Sequence, residues 1–217
     1  MPLSRDLPLR RGESVFLIID VQNYCAHPDG EEVRSIPEAQ WAERDFFLAA
    51  LNPAVKNIAR LQHCCRAAGI EVMFCVIENL TQDGRDRGLD YKITGFNVPK
   101  GSWDAQVLDE IAPMGDEIVI SKTASSVFNS TNIDYVLRSL GIKQVVIAGV
   151  ATDQCVESAI RDACDLGYLV TMITDACATY SATRQQASEN AIKGYCRQVV
   201  TSDLIAEIGH LSTSPDD

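Results

Sequence analysis

The sequence predicts a three-layer α/β protein of Rossmann-like type, with one parallel sheet of about six strands and helices on both faces. Three observations carry this. Apolar runs of strand length recur and are nearly unbroken, as in "SVFLII" (14–19) and "KQVVIAGV" (143–150), which suits strands buried on both faces. Stretches with apolar residues at helical spacing alternate with them. Many of the connections are short, so the strands run parallel and are joined by right-handed crossovers.

The elements follow in order. The first strand, 14–19, stops at Asp20. Residues 51–68 place Val55, Ile58, Leu61 and Cys65 on one helical face, and Gly69 marks the end. "IEVMFCVI" (70–77) is the second strand, "SWDAQVLDEI" (102–111) reads as a short helix opening on Ser102, and "DEIVIS" (116–121) is the third strand, ending just before Lys122. A helix over 131–141 with a threonine cap and a glycine stop precedes the strand 143–150. Then come a helix (152–167), a strand (168–174), a helix (181–196), a strand (197–202) and a last helix (202–209). The segments 24–50 and 79–101 are long for loops, and long excursions in compact domains are often functional. With no linker and no internal repeat, residues 1–217 are expected to form a single domain, with the tail "STSPDD" fraying.

Composition narrows the partners. Thirty acidic residues against 19 basic ones give a net charge of −11, which argues against nucleic acid or an anionic membrane surface. No apolar run approaches the roughly 20 residues needed to span a bilayer. The arginines of "MPLSRDLPLRRGES" are followed by no apolar leader core, so the expectation is a cytoplasmic protein. Its eight cysteines then read as thiols rather than a disulfide framework.

In an open parallel sheet, ligands bind outside the carboxyl ends of the strands. Asp20, Lys122 and Cys155 all fall there. Singly, each has a structural explanation: a turn cap, a solvated cation, a packed thiol. Together they are the parts for acyl transfer. Cys155 is the nucleophile at the start of a helix that Thr152 or Asp153 would cap. Lys122 is a cation that, with the helix dipole, would lower the thiol pKa. Asp20 is a general base.

The blocks "LIIDVQN" (17–23), "SKTASSVFNST" (121–131), "VVIAGVATDQCVESAIRDACDLGY" (145–168) and "TMITDACATYS" (171–181) resemble the isochorismatase-like cysteine hydrolases over nearly the whole chain. The resemblance implies strand order 3-2-1-4-5-6 and a triad matching Asp20, Lys122 and Cys155. It also implies a cis peptide before Ala151 and an oxyanion hole formed by the N–H groups of Ala151 and Cys155. Dimers or tetramers are expected, and hydrolysis of a C–N bond through an acyl- or carbamoyl-cysteine intermediate.

Departures from the family choose among its members. Nicotinamidase-type enzymes carry an Asp-x-His and a further His as metal ligands, which His27, His63 and His210 cannot supply, so neither metal nor other cofactor is expected. Members acting on isochorismate lack the cysteine that this chain has. What remains is a metal-free amidohydrolase for a small ureido, carbamoyl or amide substrate. A nicotinamide-like or other aromatic amide is the alternative, and a redox-sensing or binding scaffold the reading outside enzymes. Gln22, Tyr24, Glu78, Asn79, Phe128 and Asn129 are candidate substrate-binding residues, although a salt bridge for Glu78, core packing for Phe128 and a turn cap for Asn129 compete. Arg85 and Arg87, in a run that reads as a solvated loop, are candidates for holding a substrate carboxylate.

Overall fold

The computed structural model describes residues 4–211, so the tail "STSPDD" lies outside the described residues. Six strands, β1 (Ser14–Ile19), β2 (Glu71–Ile77), β3 (Val119–Lys122), β4 (Gln144–Val150), β5 (Leu169–Ala178) and β6 (Arg197–Val199), form one sheet in the order 3-2-1-4-5-6. Every strand pair is parallel. The two central strands explain their own composition. Every residue of β1 and β4 is buried, because both faces of the sheet are covered.

The helices are α1 (Asn23–Ala26), α2 (Glu31–Ser35), α3 (Trp41–Ala68), α4 (Leu89–Thr94), α5 (Val127–Ser130), α6 (Ile133–Ser139), α7 (Glu157–Asp165), α8 (Ala182–Ile192) and α9 (Thr201–Leu211). On α7 and the turn before it, Val156, Ala159, Ile160 and Ala163 are fully buried, the face that the spacing predicts. All eight cysteines are free thiols. No described helix is long and apolar enough to cross a membrane.

Several expectations are corrected. The helix expected over 51–68 begins at Trp41 and runs through Pro53, because Phe47 and Leu51 extend its buried stripe upstream. Residues 102–111 do not form a helix. Two 3-10 turns, Trp103–Ala105 and Asp109–Ile111, flank Val107, which makes an antiparallel bridge with Gln22. Backbone bonds from Asn23 to Gln106 and from Leu108 to Val21 take up the groups a helix would need. β3 is shifted to include Lys122 as its last residue. β5 runs on to Ala178, past an irregularity in its register with β4. Residues 152–156 form a π-helical turn rather than the start of α7.

Two residues fix the sheet edge where the strands end. Gln22 is completely buried, and its amide closes a two-way clamp on Ile77: Oε1 accepts from the backbone N–H at 2.6 Å and Nε2 donates to the carbonyl at 2.9 Å. Nε2 also donates to the Asp104 carbonyl at 3.0 Å. Gly149 lies beside Ile19 with φ +130°, and a Cβ there would sit 2.1 Å from the Ile19 carbonyl oxygen. The backbones of β1 and β4 can approach this closely only without a side chain.

Gly149→Ala is expected to destabilise the protein by roughly 3 kcal/mol or more, since both the dihedral and the contact are wrong for alanine. Gly12→Ala, at φ +72° with nothing within 4 Å of the added carbon, should cost only about 1–2 kcal/mol. Chemical denaturation of the two variants checks the contrast. Gln22→Ala strands three backbone groups and is expected to lower stability by about 2–4 kcal/mol in the same experiment.

Candidate active site

Three strand ends bring the site together. Asp20 leaves β1 with φ +56°, a left-handed conformation that aspartate tolerates better than most residues, and its N–H donates to the Cys75 carbonyl at 2.8 Å. Lys122 closes β3, opposite Ile77 of β2, and its side chain is fully buried. β4 ends at Val150; the Val150–Ala151 peptide is cis, and the π-helical turn that follows carries Cys155. π-turns of this kind are frequent at functional sites.

The three side chains meet. The Lys122 ammonium lies 3.0 Å from Asp20 Oδ2 and donates to Cys155 Sγ at 3.4 Å. It also donates to the Tyr91 hydroxyl at 2.9 Å and the Ala124 carbonyl at 3.0 Å. Apart from this ion pair, neither Asp20 carboxylate oxygen accepts a well-formed hydrogen bond from the described residues. Ser125 Oγ stands 3.5 Å from Cys155 Sγ. The Cys25 thiol donates to the Asp20 carbonyl at 3.0 Å and so braces the left-handed turn.

The electrostatics follow from burial. Loss of water pushes the Asp20 carboxyl above its ordinary range, against the pull of the Lys122 charge and the neighbouring thiol. Burial opposes the charge on Lys122, yet the Asp20 carboxylate, with Cys155 and Tyr91, holds the ammonium well above the usual lysine value. The Cys155 thiol is pushed up to about 11, first by burial and then by Asp20, while Lys122 and Ser125 pull it down. This corrects the expected lowering of the thiol pKa. The cation is present, but its charge is already opposed by the carboxylate beside it. Neither Thr152 nor Asp153 caps the turn: Thr152 donates to Gln185 at 2.7 Å, and Asp153 accepts from Thr179 and from Arg184.

Asp20, Ala151 and Cys155 open onto one narrow cavity. Ile77 and Val150 complete its floor, Phe47, Phe96 and Tyr180 form aromatic walls, and Cys25, Glu32 and Gln154 add polar edges. It continues outward into a wider mouth that shares Glu32, Phe96, Gln154 and Tyr180 and adds Arg44 and Arg184.

The other candidate residues lie elsewhere. Gln22 is committed to the Ile77 clamp. Tyr24 stays out of the cavity and packs edge-on against Phe96, which lines it. Glu78 makes no salt bridge with the described residues; it accepts from the Gly101 N–H at 2.8 Å and from the Ser121 hydroxyl. Asn79 is buried and donates to Asn97 at 2.9 Å. Phe128 is core, tilted against Tyr168, and Asn129 donates to Asp162 at 2.8 Å. Arg85 pairs with Asp83, and Arg87 donates to the Gly84 and Phe96 carbonyls, so neither reaches the cavity. Of the run 83–92, which reads as a solvated loop, residues 89–92 belong to α4, where Tyr91 is buried against Lys122.

The walls were missed in the sequence. Ser125, Gln154 and Tyr180 sit inside the quoted family-like blocks and could have been drawn from them. Glu32 and Phe96 lie in the two long excursions, where no periodicity marks them, and Phe47 lies on the buried stripe of α3 upstream of the helix expected from 51. Among the described residues, no cluster of three or more His, Cys, Asp or Glu is arranged to hold a metal ion.

The Isochorismatase domain family matches residues 14–203. Ureidoacrylate amidohydrolase RutB of Pseudomonas syringae pv. syringae (strain B728a) is 31% identical over 210 residues, covering 87% of this chain and 80% of the relative. The protein of the same name from Serratia proteamaculans (strain 568) is 31% identical over 199 residues, covering 83% and 75%. Among solved structures, a cysteine hydrolase from Pseudomonas syringae pv. phaseolicola 1448A superposes with a TM-score of 0.81 at 22% identity, covering 94% of this chain and 96% of that one. N-carbamoylsarcosine amidase from Thermoplasma acidophilum gives 0.69 at 23% identity, covering 87% and 96%. With the family match spanning most of the chain and the sheet order the same as the resemblance implies, this chain belongs to the isochorismatase family.

Proposed function

We propose that this protein is a cysteine-dependent amidohydrolase that cleaves a C–N bond of a small ureido, carbamoyl or amide substrate. The observation that carries the reading is the convergence of carboxylate, ammonium and thiol, from three separate strand ends, at 3.0 and 3.4 Å, with the carboxylate and the thiol lining one cavity. Relatives named as amidohydrolases support the reaction class.

The chemistry begins with a neutral thiol. As Cys155 Sγ bonds to the substrate carbonyl carbon, its proton passes to the Asp20 carboxylate, and the carbonyl electron pair moves onto oxygen. The N–H groups of Ala151 and Cys155 are the proposed donors to that oxyanion. Asp20 then gives its proton to the departing nitrogen as the C–N bond breaks, leaving an acyl- or carbamoyl-cysteine. Water attacks that carbonyl next, Asp20 takes its proton, and the restored carboxyl returns it to the leaving sulfur. Lys122 does not exchange protons. Its charge keeps Asp20 ionised and balances the negative charge that moves to sulfur. The aromatic walls support a second reading, an aromatic amide as substrate. Competition between an aromatic amide and a ureido compound separates the two.

Ammonia release from a panel of small ureido compounds and amides is expected in the native protein. In Cys155→Ala it should fall about 10³-fold or more, as when a triad member is removed; equal turnover would refute the nucleophile. Asp20 must be ionised to act, and its pKa is raised. Activity should therefore climb with pH along an acid limb lying above the ordinary carboxylate range. In the absence of substrate, alkylation of Cys155 should rise with pH toward a midpoint near about 11. Asp20→Asn removes a negative charge and should lower that midpoint, while Lys122→Met should raise it. Peptide mass spectrometry at Cys155 reads both shifts.

A further inference from the structure

The inner cavity is asymmetric in charge. Asp20, which lines it, is already neutralised by Lys122. On its wall stands Glu32, from α2, which is placed by a tight approach to α1: a Cβ on Gly30 would lie 2.0 Å from the Asn23 carbonyl oxygen. The Tyr180 hydroxyl donates to Glu32 Oε1 at 3.2 Å, and Oε2 accepts no hydrogen bond from the described residues. No Lys, Arg or His side chain lines the inner cavity among those residues. The arginines begin only at the mouth, and both are engaged. Arg184 donates to Asp153 at 2.6 Å and lies over the Tyr180 ring; Arg44 donates to Asp45 at 2.8 Å and lies over Trp41.

A small substrate with its carbonyl at Cys155 Sγ must extend past the lining of this cavity, where Glu32 presents an ionisable group. We propose that Glu32 is the specificity-determining residue of the site, admitting small amides whose far end is neutral or cationic and carries N–H donors, and turning away those that end in a carboxylate. The inference rests on the cysteine-hydrolase reading but goes beyond it. Ureidoacrylate, the compound in the relatives' name, carries a carboxylate and falls in the disfavoured class. An N–H donor would satisfy the open Oε2, whereas a carboxylate would meet a like charge with little water between them. Burial pushes the Glu32 carboxyl up to about 7, against the Tyr180 hydroxyl and with Asp20 adding to the rise. Tyr180, Asp20 and Cys25 face it from within the cavity, and Arg184, Glu43 and Arg44 from the mouth. The rejection of carboxylates is therefore strongest above neutrality and relaxes below it.

Three thiol alkylators of similar size test this on the intact protein: 2-bromoethylammonium, iodoacetamide and iodoacetate. Each rate at the Cys155 peptide is divided by the rate with a free small thiol. At about pH 8, where a carboxyl of this kind is ionised, iodoacetate should lag iodoacetamide by about tenfold, and the cation should at least match the amide. The lag should shrink several-fold in Glu32→Gln. It should also shrink in Tyr180→Phe, which removes only the hydroxyl that supports the carboxylate. In the unaltered protein it should shrink as pH falls to about 6, below the Glu32 transition. An iodoacetate lag no larger than the free-thiol standard, one that persists in Glu32→Gln, or one insensitive to pH across this range overturns the proposal. Failure of the underlying reading registers separately, as hydrolysis undiminished in Cys155→Ala.

Discussion

A lysine ammonium with no access to water stays charged only if a carboxylate lies against it, and the Lys122–Asp20 pair is the contact around which this sheet edge is built. Satisfying it requires β3 to end level with β1, although β2 lies between them. The register that sets Ile77 opposite Lys122, together with the Gln22 clamp on Ile77, holds that alignment. Removing one partner would leave an uncompensated buried charge, which generally costs about 3–5 kcal/mol. A pair of this kind is a poor source of net stability, so its presence at the strand ends points to chemistry rather than to folding.

The same pair sets the character of the sulfur. A lone cation beside Cys155 would have made a standing thiolate. With Asp20 also present, the cation's charge is offset, and burial keeps the proton on sulfur. The site thus holds a protonated thiol beside a buried ion pair. A thiol of this kind is exposed to oxidation less than a free thiolate would be.

The fold and the floor of the site were legible because both are written in local patterns. Continuous apolar runs announce strands buried on two faces, and Asp20, Lys122 and Cys155 stand where those runs stop. The helix expected at 102–111 failed because its backbone groups pair with Val21 and Asn23, far away in the chain. The substrate-binding expectations failed for a similar reason. Gln22, Glu78 and Asn79 sit beside the strand ends in sequence, but their polar atoms are taken by neighbouring backbone or by Ser121, Gly101 and Asn97. The groups that do line the cavity, among them Glu32 and Phe96, come from excursions whose path depends on tertiary contacts.

Glu32 belongs to a five-residue helix in which Val33 is the one buried side chain. Its neighbours on α2 can therefore change without disturbing the core, while the ion pair beneath tolerates almost nothing. Across descendants of this chain, the acid at this position could give way to a basic or apolar residue with the sheet edge and its ion pair left standing.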